Sequence, residues 1–195
     1  MRGRGFVAWL RETFALHRPA PGAMASPSRE YLLRPVNPLW IWTTLLVSFL
    51  LNLLPWGQAS FIPDFLALAL VFWNVHQPRK VGMGAAFVFG LLMDVHNGSL
   101  FGQHALAYTI LSYGAISLHR RIVWFPLGAQ TLHVFPLFLL AQLVMLAIRM
   151  WVGGVWPGWL WFGDSVAEAV LWPVWSWILL APQRRPTDRD ETRPL

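Results

Sequence analysis

The ionisable residues that interrupt or border apolar stretches are the first candidates for chemistry: Asp64, Asp94, His96, His104, Arg149, Asp164 and Glu168. Asp164 and Glu168 are spaced i, i+4 and share one face of any helix that carries both. Two aspartates facing each other from separate helices would make an intramembrane aspartyl protease, and Asp94 with Asp164 is the available pair. The run Trp161-Phe162-Gly163-Asp164 lacks the first glycine of a Gly-x-Gly-Asp motif. Both aspartates also lie near the ends of apolar runs, not in a deeply apolar site that would keep one carboxyl protonated. A metal site drawn from Asp64, Asp94, His96, His104 and Asp164 has no tight ligand spacing such as His-Glu-x-x-His. There is no Gly-x-Ser-x-Gly elbow and no Walker loop. With no cysteine, disulfides and thiolate ligands are excluded. The chain therefore reads as non-enzymatic, with no cofactor and no metal.

The elements that must position these residues are membrane spans. Of 195 residues, 56% are hydrophobic and 12% charged, with a mean hydropathy of +0.47, too little charge to cover a soluble domain of this size. The apolar residues fall in blocks approaching the ~20 residues that cross a bilayer core. Thirteen Trp are present, most near block ends, at the headgroup level that amphipathic rings favour. The expected fold is all-α: a polytopic bundle of six transmembrane helices at about 39–56, 63–76, 81–95, 100–118, within 125–150, and 160–180. Pro136 predicts a kink in the fifth span. Spans two and three are short. They must thin the bilayer, borrow flanking residues or pack inside the bundle, and a re-entrant hairpin is the competing reading.

Three regions follow: a basic tail over 1–35, the six-helix domain over 36–182, and a charged, Pro-interrupted, disordered tail over 183–195. No cleavable signal-peptide pattern opens the chain. Phe6, Trp9, Leu10, Phe14 and Leu16 would share the apolar face of a short interfacial helix, while Met24 offers an alternative start. The formal charge is +6, but the basic residues flank apolar blocks as topogenic charges do, so a bilayer and not nucleic acid is the expected partner. Six spans place both tails, Arg79-Lys80 and Arg120-Arg121 on one side. Of the 15 Lys and Arg residues only Arg149 faces the other way, which makes the tail side cytoplasmic in a bacterial inner membrane.

In this topology Asp64, Asp94, Asp164 and Glu168 all lie in the periplasmic half beside Arg149. Ionisable groups at such depth mark a functional site unless they lie at the interface in contact with water. Arg149 is the expected counter-ion of Asp164 and Glu168. Span three carries Gly82, Ala86 and Gly90 at fourfold spacing, a small-residue stripe for close helix approach, either within the chain or to a partner. Span four opens with Gly98-xxx-Gly102 and presents His104, Tyr108 and Ser112 on one face, for interhelical hydrogen bonding or for lining a cavity.

The order of these features resembles the rod shape-determining MreD family. The resemblance covers about 32–182. It rests on Pro63-Asp64-Phe65-Leu66, Phe72-Trp73, Pro78-Arg79-Lys80-Val81-Gly82-Met83-Gly84, Gly90-Leu91-Leu92-Met93-Asp94, the run from Gly98 to Leu106, and Leu171-Trp172-Pro173. The tail before Met24 departs from the family's usual short opening. The resemblance implies a membrane subunit of the bacterial elongation machinery, scaffolding MreC through its membrane helix and periplasmic region. The elongation transpeptidase and RodA would be further partners, and MreB an indirect one. The stripe at Gly82, Ala86 and Gly90, or the polar face of span four, is the expected seat for the MreC helix. The family is also similar in fold to the substrate-binding subunits of energy-coupling-factor transporters. The alternative function is therefore a small-molecule-binding subunit, with Asp94, His104, Tyr108, Asp164 and Glu168 lining a cavity.

Overall fold

A computed structural model describes residues 37–55 and 62–183, all within the compact unit Leu33–Arg184. These residues form six α-helices and no strand: α1 (Pro38–Asn52), α2 (Phe65–His76), α3 (Gly82–Asn97), α4 (Gln103–Trp124), α5 (Leu127–Trp151) and α6 (Gly163–Leu180). Short 3-10 turns, Trp159–Phe162 and Ala181–Gln183, flank α6. The expectations for 1–35, including the interfacial helix and the Met24 start, and for 184–195 lie outside the described residues.

Local chemistry sets most helix ends. Asn37 caps α1 by accepting from the Leu39 N–H at 3.0 Å, with Pro38 at the first turn where its missing donor costs nothing. Asp64 caps α2 through the Ala67 N–H at 2.8 Å. Between α3 and α4 the chain reverses on Gly98 (φ +58°) and Gly102 (φ +101°), left-handed positions that favour glycine. Both glycines therefore serve the turn and not a packing face on α4, which begins only at Gln103. At its far end α4 runs through Arg120 and Arg121 to Trp124, past the expected boundary at 118. It stops where Pro126 forces Phe125 into extended backbone (φ −93°, ψ 149°). The residues 160–162, expected to open the last span, form the 3-10 turn instead.

The core is built around α2. Every residue from Leu66 to Val75 is buried, against α1 on one side, α4 on another and α6 on a third. Further contacts link α3 to α4, α4 to α5 and α5 to α6. At 12 residues α2 is roughly 18 Å long, short of the ~30 Å hydrocarbon core, and its position inside the bundle removes it from lipid. Among hydrocarbon neighbours apolar burial gives little net drive, so packing and hydrogen bonds carry the helix association. Trp73 Nε1 donates to Thr44 Oγ1 of α1 at 2.9 Å, and Asn74 Nδ2 donates to Ser112 Oγ of α4 at 3.0 Å.

The outer faces are apolar. On α1, Leu39, Trp42, Leu46 and Leu50 form an exposed stripe; on α6, Val166, Val170, Val174 and Trp177 form another. Contiguous apolar surface of this kind is foreign to a water-facing monomer and natural against lipid. Trp124, Trp151 and Trp159, at helix ends, are 81–90% exposed, as aromatic anchors at a headgroup boundary would be. By length and composition α5 and the helical segment Trp159–Gln183, each 25 residues, are able to cross a membrane; α1 and α2 are apolar but shorter.

Candidate functional site

One end of the bundle gathers the polar side chains. The end of α1, the start of α2, the α3–α4 turn, the end of α5 and the start of α6 meet there. A cavity of about 150 Å³ lies among them, lined by Asp64, His104, Tyr108, Gln142, Asp164 and Glu168, with Trp161 and several apolar residues completing the wall. Five of the eight ionisable or phenolic residues singled out in the sequence thus line one space: Asp64, His104, Tyr108, Asp164 and Glu168.

Asp64 is the hub. One carboxylate oxygen accepts from Asn52 Nδ2 at 2.6 Å and from the Ala67 N–H at 2.8 Å; the other accepts from the Tyr108 hydroxyl at 2.5 Å. Its own N–H donates to Glu168 Oε1 at 3.3 Å. Asn52 also accepts from the Phe65 N–H at 3.1 Å. A single residue therefore ties α1, α2, α4 and α6 together. Because Asp64 lies at the N-terminus of α2, its negative charge also meets the positive end of that helix dipole.

Asp94 does different work. Its side chain, fully buried, accepts from Ser99 Oγ (2.9 Å) and from the N–H groups of Gly102 (2.8 Å), His104 (2.8 Å) and Ala105 (3.3 Å). His104 Nδ1 completes the set at 2.8 Å from the carboxylate. The residue that closes α3 thus satisfies the orphan donors at the start of α4, and it does not line the cavity.

Arg149, expected as counter-ion of Asp164 and Glu168, also has an aromatic neighbour. Glu168 accepts from Asp64, and the Arg149 guanidinium lies over the Trp161 ring, 5.5 Å from its centroid. The 3-10 turn explains this, since it carries Trp161 between the end of α5 and the start of α6. Arg149 thereby borders the cavity wall without entering it.

The small-residue stripe is divided. Among the described glycines, Gly90 is the most tightly packed: a methyl there would stand 2.4 Å from Ala105 Cα and 2.6 Å from its N. Ala86 is fully buried, whereas Gly82 opens α3 at φ +64° with open space around it. The inner part of the stripe packs on α4 of the same chain. On α4, Tyr108 and Ser112 point to Asp64 and Asn74 of α2, and His104 to Asp94 of α3.

Sequence reasoning passed over Asn52 and Gln142. Gln142 Nε2 donates to the Trp161 carbonyl at 2.6 Å, and its Oε1 accepts from Ser165 Oγ, which fixes the turn before α6. Gln130, likewise on α5, donates to the Phe125 carbonyl at 2.9 Å and accepts from Trp172 Nε1 at 3.2 Å. The available signal was a neutral amide within an apolar run, which marks interhelical hydrogen bonding as surely as a charge does. Among the described residues no three His, Asp or Glu side chains are grouped to hold a metal ion.

A protein-family profile described as rod shape-determining protein MreD matches residues 34–181, a range that contains all six helices. The chain is also 31% identical over 154 residues to the rod shape-determining protein MreD of Haemophilus influenzae, covering 74% of this chain and 92% of that relative. No solved structure matches.

Proposed function

This chain belongs to the MreD family of rod shape-determining proteins, and from that membership we propose that it is a non-enzymatic scaffold of the elongation complex in the inner membrane. The family places it in rod-shape determination. The finer reading is that it crosses the membrane six times with both termini cytoplasmic. There it holds MreC, and through MreC the elongation transpeptidase and RodA, during lateral wall growth, with MreB engaged indirectly.

The observation that carries the scaffold reading is the use of Asp64 and Asp94 at the polar end by the chain itself. Asp64 and Asp94 spend their oxygens on Asn52, Tyr108, Ser99 and backbone donors, so the cluster fastens helices together. Its cavity of about 150 Å³ holds about five waters at ~30 Å³ each. Pockets for drug-sized ligands occupy roughly 300–1,000 Å³. That volume weighs against the alternative, a vitamin-binding transporter subunit. The inner stripe being occupied by α4, the surfaces left for a partner helix are the outer apolar faces and the rim around the polar end. Orientation is supported by the segregation of Arg79-Lys80 and Arg120-Arg121 from Arg149.

A mild-detergent pull-down of the tagged chain from its native membranes, read by mass spectrometry, tests the proposal. Recovery of MreC with the transpeptidase or RodA supports it. Recovery of a coupling subunit with paired ATPases would replace it with the transporter reading.

A further inference from the structure

At the opposite end of α4 from the polar cluster, a crevice of about 600 Å³ opens between the last turns of α4 and the first turns of α5. It is lined by Leu118, Arg120, Arg121, Ile122, Trp124, Phe125 and His133. Its walls divide by chemistry: Arg120 and Arg121, both exposed, form a cationic rim, while Leu118, Ile122, Trp124 and Phe125 supply an apolar body. His133 stacks on Phe125 with ring centroids 4.3 Å apart. Its Nδ1–H donates to the Ala129 carbonyl at 3.1 Å, because a carbonyl can only accept. That bond leaves His133 Nε2 unused by the fold.

The plain reading is that Arg121 merely complements the free carbonyls at the end of α4 and that both arginines are topogenic. Two features go beyond that reading. Two exposed guanidinium groups at one rim both offer donors to phosphate oxygens, and they border an apolar recess that a soluble anion would leave empty. Trp124, 89% exposed at this level, is the side chain expected at the boundary of headgroups and acyl chains. Charge and apolar wall together fit an anion with a hydrocarbon body.

We propose that this crevice is a binding site for one anionic phospholipid of the surrounding bilayer, its phosphate on Arg120 and Arg121 and its acyl chain along Leu118, Trp124 and Phe125. The inference rests on the membrane reading above. It extends that reading by assigning a specific lipid site where topology alone requires only positive charge.

The test is native mass spectrometry of the purified full chain in mild detergent, titrated with phosphatidylglycerol or with phosphatidylcholine of the same chains. The wild type should retain phosphatidylglycerol preferentially. An Arg120→Gln/Arg121→Gln variant should bind it about 30-fold more weakly, from the loss of two near-surface cations, with phosphatidylcholine unchanged. The comparator Arg79→Gln/Lys80→Gln removes the same charge from another basic turn and should leave binding as in the wild type. If the double Gln variant misfolds, Arg120→Lys/Arg121→Lys with Trp124→Ala serves instead: charge retained but wall lost should weaken both lipids. Equal losses from the two basic turns would overturn the proposal, as would no preference between the lipids, or binding of inorganic phosphate alone with no gain from acyl chains. A chain that never enters lipid nanodiscs would instead fail the membrane reading itself, and the two failures are separable.

Discussion

Gly90→Ala is the substitution whose consequence follows most directly from the geometry. A methyl group at position 90 would sit 2.4 Å from Ala105 Cα, 2.6 Å from Ala105 N and 2.8 Å from the His104 carbonyl carbon. Carbon atoms rest at about 3.8 Å, so α3 and α4 would have to part by roughly 1.4 Å. No rotamer change relieves this, because every obstructing atom is backbone. The N–H groups of the same two residues donate to Asp94 at 2.8 and 3.3 Å, so parting the helices also stretches the cap of α4. Overpacking costs typically 1–3 kcal/mol, and a rigid obstacle places this case near 3 kcal/mol. By the scaling of domains of this size that corresponds to a fall of about 6–12 °C in apparent midpoint. The assay is fluorescence-detected size exclusion after a heating series in mild detergent, with accumulation in membranes as a second readout. Gly84→Ala, on the same helix with nothing within 4 Å, should be neutral or stabilising by up to ~1 kcal/mol through helix propensity. Gly114→Ala meets only a flexible Leu137 methyl and should fall between them. Adding Ala105→Gly to Gly90→Ala should restore nothing, since the Ala105 methyl is not the obstacle. A Gly90→Ala protein as stable as Gly84→Ala would refute the assigned helix contact.

Three further outcomes are expected. Tyr108→Phe removes one donor from Asp64 while Asn52 and the Ala67 N–H remain, costing about 0.6–1.7 kcal/mol; if the cluster only fastens helices, loss of cell-shape rescue will track loss of protein in immunoblots of the same strains. Asp94→Ala leaves three backbone donors without their acceptor and should cost about 3 kcal/mol, with Asp94→Asn recovering part of it in the same heating assay. The chain has no cysteine, so Gly98→Cys and Gln77→Cys report topology without background: an impermeant maleimide added to intact spheroplasts should label the first and spare the second, and the reverse pattern would invert the proposed orientation.

Six apolar blocks in the sequence correspond to six helices in the structure because apolar length is a composition signal. The boundaries moved where a local backbone rule outweighed composition. Arg120 and Arg121 look like the end of a span, yet charge does not stop a helix, and α4 continues until Pro126 acts on Phe125. Gly98 and Gly102 look like a packing pair at fourfold spacing, but their positive φ angles put them in a turn. Topology alone puts Asp64, His104, Tyr108, Asp164 and Glu168 at a common end of the spans, and all five line the cavity. Topology does not set the partners of each residue. Asn52 is distant from Tyr108 in sequence, and only the burial of α2 between their helices brings both onto Asp64. Arg149 likewise gains a neighbour that spacing does not show, the Trp161 indole carried by the 3-10 turn.

In hydrocarbon, apolar packing alone discriminates poorly between one helix arrangement and its neighbours, because lipid tails are as apolar as leucine. The few polar ties therefore fix which helix sits where. Here they converge on α2: Trp73 and Asn74 bind α1 and α4 in its body, and Asp64 binds α1, α4 and α6 at its start. Each such bond contributes about 0.6 kcal/mol on average in a membrane, so no single one is decisive, but together they specify the short helix that could otherwise slide. A scaffold requires that rigidity, since its partners must meet outer faces held in constant register. On the proposed reading, the polar end keeps α1 and α6 fixed relative to each other, and recognition falls to the surfaces those helices turn outward. A variant that loosens Asp64 should then weaken partner retention without any residue at the partner contact having changed.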